Sequence, residues 1–198
     1  MGDKHQTELT QFYDTHPINE DEILAKVKAQ GADLNALSQP DLQDLDQDHY
    51  GGTSALDELA DLAGIRSEHH VLDVCSGMGG PARWLAFHRQ CRVTGLDFTQ
   101  TRVEAARRLS ERVKLAHLVD FVHGDAMAMS LPSSNYHALI SQESWLHVPD
   151  KAAVVSECVR VTKPGGVIAF TDIVTLTVLD SSTEARLASG IRTANLAS

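Results

Sequence analysis

The stretch VLDVCSGMGG, residues 71–80, followed by PARWLA, constrains this chain more than any other. Val71, Leu72 and Val74 form a short apolar run interrupted by one carboxylate, Asp73, and read as a buried strand. Gly77, Gly79 and Gly80 then remove the Cβ atoms that would hold a ligand away from the backbone, and Pro81 with Ala82, Leu85 and Ala86 opens a helix directly after them. Strand, glycine turn and helix N-terminus in succession make a nucleotide-type site.

The turn alone does not name the ligand. Gly77, Gly79 and Ala82 also satisfy the dinucleotide pattern GxGxx[GA], which leaves a nicotinamide-dependent oxidoreductase open. Asp73 speaks against it, because a pyrophosphate would be repelled there and a cationic ligand attracted. A second apolar strand, 92–96, ends in Asp97, about twenty residues beyond the glycines, the usual offset for an acid that binds ribose hydroxyls. A third strand, 118–123, runs into Gly124 and Asp125. Three successive strands thus end in carboxylates, on the edge where open α/β sheets take their ligands.

VLDVCSGMGG, GLDF, HGDA and the later KPGG, in this order and at these spacings, resemble the class I S-adenosylmethionine-dependent methyltransferases from about Gly64 to Asp172. The resemblance implies an α/β fold: a Rossmann-like, doubly wound parallel sheet with helices on both faces. It implies S-adenosylmethionine as cofactor and S-adenosylhomocysteine as product. Asp73 and the turn from Cys75 and Ser76 through Gly77 and Gly79 would hold the methionine part. Asp97 and Phe98 would take the ribose, and Gly124, Asp125 and the Ala126 backbone the adenine. Gln142 would face the cofactor from the fourth strand. Cys75 stands where the family's pattern has its first glycine.

That fourth strand, 137–141, runs into QESWLHVPD beside the expected methyl position, so the chemistry is sought in this loop. Methyl transfer from a sulfonium needs alignment above all. If the acceptor arrives protonated, His147 is the first candidate base and Glu143 the second. Tyr13, His49, Tyr50 and Trp145 are expected at the substrate or on a lid. An alternative is a methyltransferase-like protein that binds the cofactor without turnover.

Residues 1–52 read as an N-terminal helical lid and linker, and 53–198 as the core. Residues 1–10 are expected to fray, Leu9 to Tyr13 to start a short helix, and Asn19 to cap a stronger one ending at Gly31. Pro40 is expected to break the leucine-punctuated stretch 33–48, and Thr53 or Ser54 to cap a helix ending at Gly64. Thr99 caps a helix whose Arg102, Arg107, Arg108 and Arg112 read as a solvated face. KPGG, 163–166, turns the chain into a fifth strand, 167–172, after which only residues 173–198 remain. Thr175 to Leu179 could add a small strand, and Ser181 with Glu184 resembles a capping box. The family's two last strands find no room, so the expectation is a truncated form with an exposed strand-five edge, open to a homodimer there or through the last helix.

Composition narrows the partners. With 17 basic and 27 acidic residues the formal net charge is -10, which argues against nucleic acid or an anionic membrane and for a small-molecule acceptor. Three cysteines without CxxC spacing suggest reduced thiols, no metal site and a cytoplasmic protein. No apolar run approaches the ~20 residues of a membrane span, and residues 1–11 are too polar for a secretory signal.

Overall fold

The computed structural model describes residues 2–16, 18–47 and 49–191, and of these the side chains within 7–187. Residues 192–198, the end of the expected core, lie outside the described residues. Five parallel strands form one sheet: β1 (His70–Val74), β2 (Arg92–Asp97), β3 (Val119–His123), β4 (Tyr136–Gln142) and β5 (Thr162–Thr171). Their order is β3-β2-β1-β4-β5. Connections run outward in both directions from β1, so a crevice opens between β1 and β4 where the winding reverses. Register sets Asp73 beside Gly95 and Asp97 beside His123, which aligns the carboxylate ends along that crevice.

Both faces of the central strands β1, β2 and β4 are covered, and these strands are accordingly apolar on both sides, whereas β5 stays largely half-exposed. Helices α4 (Gly52–Leu62), α5 (Gly80–Arg89) and α6 (Gln100–Arg112) pack Leu56, Ala60, Leu85, Val103 and Leu109 onto Val71, Val93 and Ala138. On the other face α7 (Lys151–Val161) sets Val154, Cys158 and Val161 against Leu72, Val74 and Leu139. Met129 is buried in this second cluster with Met127 and Leu131 packed on it, so the β3–β4 connection is held by packing. Arg160 on α7 fastens it further, donating to the carbonyls of Met129 and Leu131.

The N-terminal segment departs from expectation in three places. Residues Gly2–Asp14 form one helix, α1, instead of a frayed end followed by a short turn. Its Asp14 carboxylate accepts from Thr101 Oγ1 at 2.6 Å, which ties it to α6. Asn19 does cap α2 (Glu20–Ala29), accepting from the Glu22 N–H at 3.0 Å, and Ile23 and Val27 enter the first core cluster. Pro40 opens the short helix α3 (Gln39–Leu42) rather than breaking the segment, because a proline in the first turn forfeits only an N–H with no helical partner. Helix α4 starts before Thr53, with Gly51 as N-cap at φ 80°, a conformation glycine adopts freely.

At the other end KPGG lies inside β5. Tyr136 pairs with Thr162 and Ala138 with Val167, so Lys163 to Gly166 are looped out of register as an irregularity within the strand. Thr175 to Leu179 form no strand; Val174 makes a single bridge, and Leu176 and Val178 are almost fully exposed. Helix α8 (Ser181–Ile191) is capped by Asp180, whose Oδ1 accepts from the N–H groups of Ser182 and Thr183; Ser181 does not cap it. No sixth or seventh strand occurs among the described residues. None of the described helices is long and apolar enough to cross a membrane.

Candidate active site

A pocket opens at the C-terminal ends of β1, β2 and β4, lined by the glycine turn, the two acid-ended loops, the loop after β4 and Leu9, Tyr13 and Ile18 from the N-terminal segment. Asp73 lies at its floor, 2% exposed, and its Oδ2 makes no hydrogen bond within the chain. Burial, and then the nearby Asp97 carboxylate, push the Asp73 pKa up to about 8. Asp97 is differently placed. Its Oδ2 accepts from the Gly77 N–H at 2.7 Å and its Oδ1 from the Thr99 N–H at 2.9 Å, so it fixes the turn while burial raises its pKa.

The turn contains a strained residue. Cys75 has φ 61°, a left-handed conformation that costs an L-residue roughly 1–2 kcal/mol. Glycine there removes that strain and gives back about 0.5–1 kcal/mol in unfolded-chain freedom. Cys75→Gly is therefore expected to raise the calorimetric melting temperature of the apo protein by about 2–4 °C; an unchanged or lower value would refute the strain. Ser76 and Gly77 line the pocket with Cys75, whereas Gly79 does not. Gly79 instead starts α5 at φ 77°, where a Cβ would run into the Phe121 ring, so its role is to shape the turn.

Phe98, Gly124, Asp125, Ala126 and Met127 form the next wall. Asp125 Oδ1 accepts from the Met127 N–H at 2.8 Å, and the Gly124 N–H donates to the Asp97 carbonyl at 2.9 Å. A Cβ on Gly124 would press on Leu96, so this corner is built around a missing side chain.

The far wall is made by Gln142, Glu143, Ser144 and His147, with Tyr13 and His49 facing them. His147 Nε2 and Tyr13 Oη are 2.9 Å apart, which joins α1 to the 3₁₀ turn Trp145–His147. Gln142 Nε2 lies 3.2 Å from His49 Nδ1, while Gln142 Oε1 is buried without a partner. Glu143 accepts the Tyr50 N–H on both carboxylate oxygens, at 3.0 and 3.1 Å, so it latches the linker. Two expectations fail here. Trp145 is 3% exposed and stacks on Phe170 at 4.3 Å, in the core beneath the pocket, because its ring is the largest apolar surface in the loop. Tyr50 is 79% exposed and touches the site only through its backbone.

Arg102 also overturns its reading as part of a solvated face. It is 6% exposed, its guanidinium carbon sits 4.5 Å over the Tyr13 ring, and it lines the pocket. The helical spacing of α6 placed it between faces, and only the arrival of α1 and Ile18 covers it. Asp46 is the other residue that sequence did not mark. It lines the pocket and pairs at 2.7 Å with Arg83, both side chains fully buried. No group of three or more His, Cys, Asp or Glu arranged to hold a metal ion occurs among the described residues.

A doubly wound parallel sheet with this pocket at its reversal point is the Rossmann-like arrangement that class I methyltransferases have. The family model described as a methyltransferase domain matches residues 72–170, and the chain belongs to that family. The sterol 24-C-methyltransferase erg6 of Aspergillus fumigatus is 41% identical over 109 residues, which cover 55% of this chain and 29% of that protein. Methyltransferase GfsG of Streptomyces halstedii is 33% identical over 141 residues, 71% of this chain and 51% of its own length. The chain thus spans between 29% and 51% of these two curated relatives. A phosphoethanolamine N-methyltransferase 2 of Haemonchus contortus, solved with S-adenosyl-L-methionine, shares the fold at a TM-score of 0.73 and 22% identity, covering 95% of this chain and 40% of that one.

Proposed function

We propose that this chain transfers a methyl group from S-adenosylmethionine to a small-molecule acceptor through a nitrogen, sulfur or oxygen nucleophile. The observation that carries the reading is a pocket whose buried acceptors lack donors: Asp73 Oδ2, Gln142 Oε1 and the Ser76 hydroxyl. A ligand rich in donors and bearing a cation satisfies them. The methionine ammonium suits Asp73, the ribose hydroxyls suit the remaining lone pairs of Asp97, and Asp125, Ala126 and Phe98 form a flat wall for adenine. A dinucleotide would set its pyrophosphate against Asp73, which disfavours the oxidoreductase reading.

When bound, the cofactor supplies an electrophilic methyl on a sulfonium with a good leaving group. The chain's own residues then have two tasks. Tyr13, His49 and the loop 142–147 exclude water and orient the acceptor, which can supply most of the rate. The hydrogen-bonded Tyr13–His147 pair is placed to accept the proton that the acceptor loses, with His147 Nε2 as its receiving atom. Glu143 serves as the latch to residue 50 and is the second candidate base. Residues 1–52 act as lid and linker over a core spanning 53–198. The same reading places the protein in the cytoplasm, without nucleic acid or membrane as partner. The outer edge of β5, unpaired by any other strand among the described residues, and the half-exposed Phe170 on that strand support a second copy as partner there or along α8.

The test is S-adenosylhomocysteine formation in the presence of amine, thiol and hydroxyl acceptors. Acceptor-dependent product is expected, with His147→Ala lowering kcat by roughly 10²–10⁴ and leaving cofactor affinity within about threefold. Cofactor binding without product for any acceptor would instead support the binding protein without turnover.

A further inference from the structure

We propose that Gln47 is a positioning residue: acting through His49, it turns the Gln142 amide so that the carbonyl oxygen, and not the NH2 group, is offered to a ligand in the pocket. The identity of that ligand rests on the cofactor reading above. A line of hydrogen bonds runs from the core to the pocket wall. Asp46 Oδ2 is held by Arg83 at 2.7 Å, and Asp46 Oδ1 lies 3.0 Å from Gln47 Nε2. Gln47 Oε1 lies 2.8 Å from His49 Nε2, and His49 Nδ1 lies 3.2 Å from Gln142 Nε2. Gln142 Oε1 ends the line, buried and without a partner.

Each link has one workable direction. A carboxylate paired with a guanidinium has no hydrogen to give, so the end of the Gln47 amide beside Asp46 must be its NH2 group. The other end is then an oxygen, which only accepts, and His49 Nε2 must carry a hydrogen. A neutral imidazole with its hydrogen on Nε2 leaves Nδ1 bare, and a bare nitrogen takes a donor. The Gln142 NH2 group is that donor, which leaves the Gln142 oxygen for the pocket this residue lines. One contact favours the opposite sense, because His49 Nδ1 is also 3.3 Å from the Tyr50 carbonyl. A neutral ring with its hydrogen there would strip Nε2, and Gln47 would have to turn its oxygen onto the Asp46 carboxylate. A ring with hydrogens on both nitrogens would keep Gln47 in place and turn Gln142 over instead.

The direction matters for what the pocket accepts. A buried carbonyl oxygen without a donor is costly, so the wall that Gln142 shares with Tyr13 and His147 favours a ligand group that brings an N–H to it. A turned amide would favour a carbonyl or an anion. That wall is the one to which the proposed function assigns the acceptor. Gln47 thus sets its polarity without itself lining the pocket.

Two measurements on the full chain test this. In the apo protein, nitrogen NMR of labelled histidine reports which ring nitrogen of His49 carries hydrogen, with His49→Gln assigning the signals. Wild type is expected to hold it on Nε2 alone; a hydrogen on Nδ1 overturns the proposal. Calorimetry then compares S-adenosylhomocysteine with sinefungin, which carries an ammonium in the place of the transferable methyl. Wild type is expected to prefer sinefungin by on the order of tenfold. Gln142→Leu, which removes the oxygen, and Gln47→Met, which frees the amide, should each reduce that preference to within about threefold. A merely structural part for Gln47 would weaken both ligands alike, so a ratio that stands unchanged in Gln47→Met overturns the proposal. Failure of wild type to bind either ligand overturns the cofactor reading and the proposal with it, whereas S-adenosylhomocysteine binding without a preference for sinefungin keeps that reading and removes only this one. Apo melting temperatures of the variants, recorded alongside, show that the folded chain is being titrated.

Discussion

Asp73→Asn is expected to weaken S-adenosylmethionine binding by about 2–5 kcal/mol, the cost of removing one partner of a buried charge pair, while leaving the apo protein folded. The reason lies in the state of the carboxyl before ligand arrives. With a pKa of about 8, Asp73 is mostly protonated at neutral pH, so asparagine mimics its apo form in size and charge. What asparagine cannot do is ionise against an incoming ammonium. Binding to wild type therefore expels close to one proton at pH 7, and its affinity rises with pH up to about 8 and then levels. Titration in buffers of different ionisation heat measures that proton directly. A wild-type affinity independent of pH between 6 and 8, or an Asp73→Asn variant that keeps the wild-type proton release, would show that Asp73 does not meet the cation.

The same shift has a sign for stability that separates this residue from an ordinary paired carboxylate. Its folded pKa is raised above the usual 3.8, so the folded state holds the proton more tightly than the unfolded chain. The contribution is present at low pH and is lost as pH climbs from about 3.8 toward 8. Without ligand, Asp73→Asn should consequently melt no lower than wild type at pH 8. Ligand reverses the order, because only wild type gains the ion pair. Stability and affinity move in opposite directions at this position, as expected of a group kept for binding.

Sequence disclosed the parts of this site that are local in the chain. Asp73 and Asp97 each sit in or at the end of an apolar run and precede a glycine turn or a helix start, and Asp125 follows an apolar run through Gly124, so strand, acid and turn are readable within about ten residues. The parallel order follows from strands alternating with helices. What escaped is contact between distant segments. Tyr13 and His147 were marked separately, but their hydrogen bond spans a separation of 134 residues, and no periodicity encodes it. Arg102 was read from its helical face alone, and its burial depends on α1 and Ile18, which no pattern in α6 reveals. Trp145 was placed by its neighbours in a polar loop, yet an indole's apolar area outweighs that context and draws it onto Phe170. Asp46 sat in an acidic linker among similar residues, and only Arg83, 37 positions on, distinguishes it.

That buried pair carries the largest expected effect on folding. Asp46→Ala should cost about 3–5 kcal/mol, because it leaves a fully buried guanidinium without its counter-charge. Arg83 Nη1 also donates to the Met78 carbonyl at 2.8 Å, the Ala106 carbonyl at 3.2 Å and Ser110 Oγ at 3.4 Å, while its buried Nε has no partner. Those neutral acceptors orient the fork without neutralising it. Burial pushes the Asp46 pKa up and Arg83 pulls it back, the balance of a pair whose desolvation is only just compensated. Replacing both partners together, Asp46→Leu with Arg83→Met, should therefore recover most of the loss, as measured by urea unfolding at pH 7. If the double variant is no more stable than Asp46→Ala, the lost stability belongs to packing, and the charges are incidental. The recovered protein would still differ in function. Arg83 reaches Met78 inside the glycine turn, and Gly80 packs so closely on the Asp46 carbonyl that a Cβ would collide with it. The pair joins the N-terminal linker to the turn that shapes the pocket, so a double variant with restored stability and weakened S-adenosylhomocysteine binding would show that the charges are retained for placing the turn.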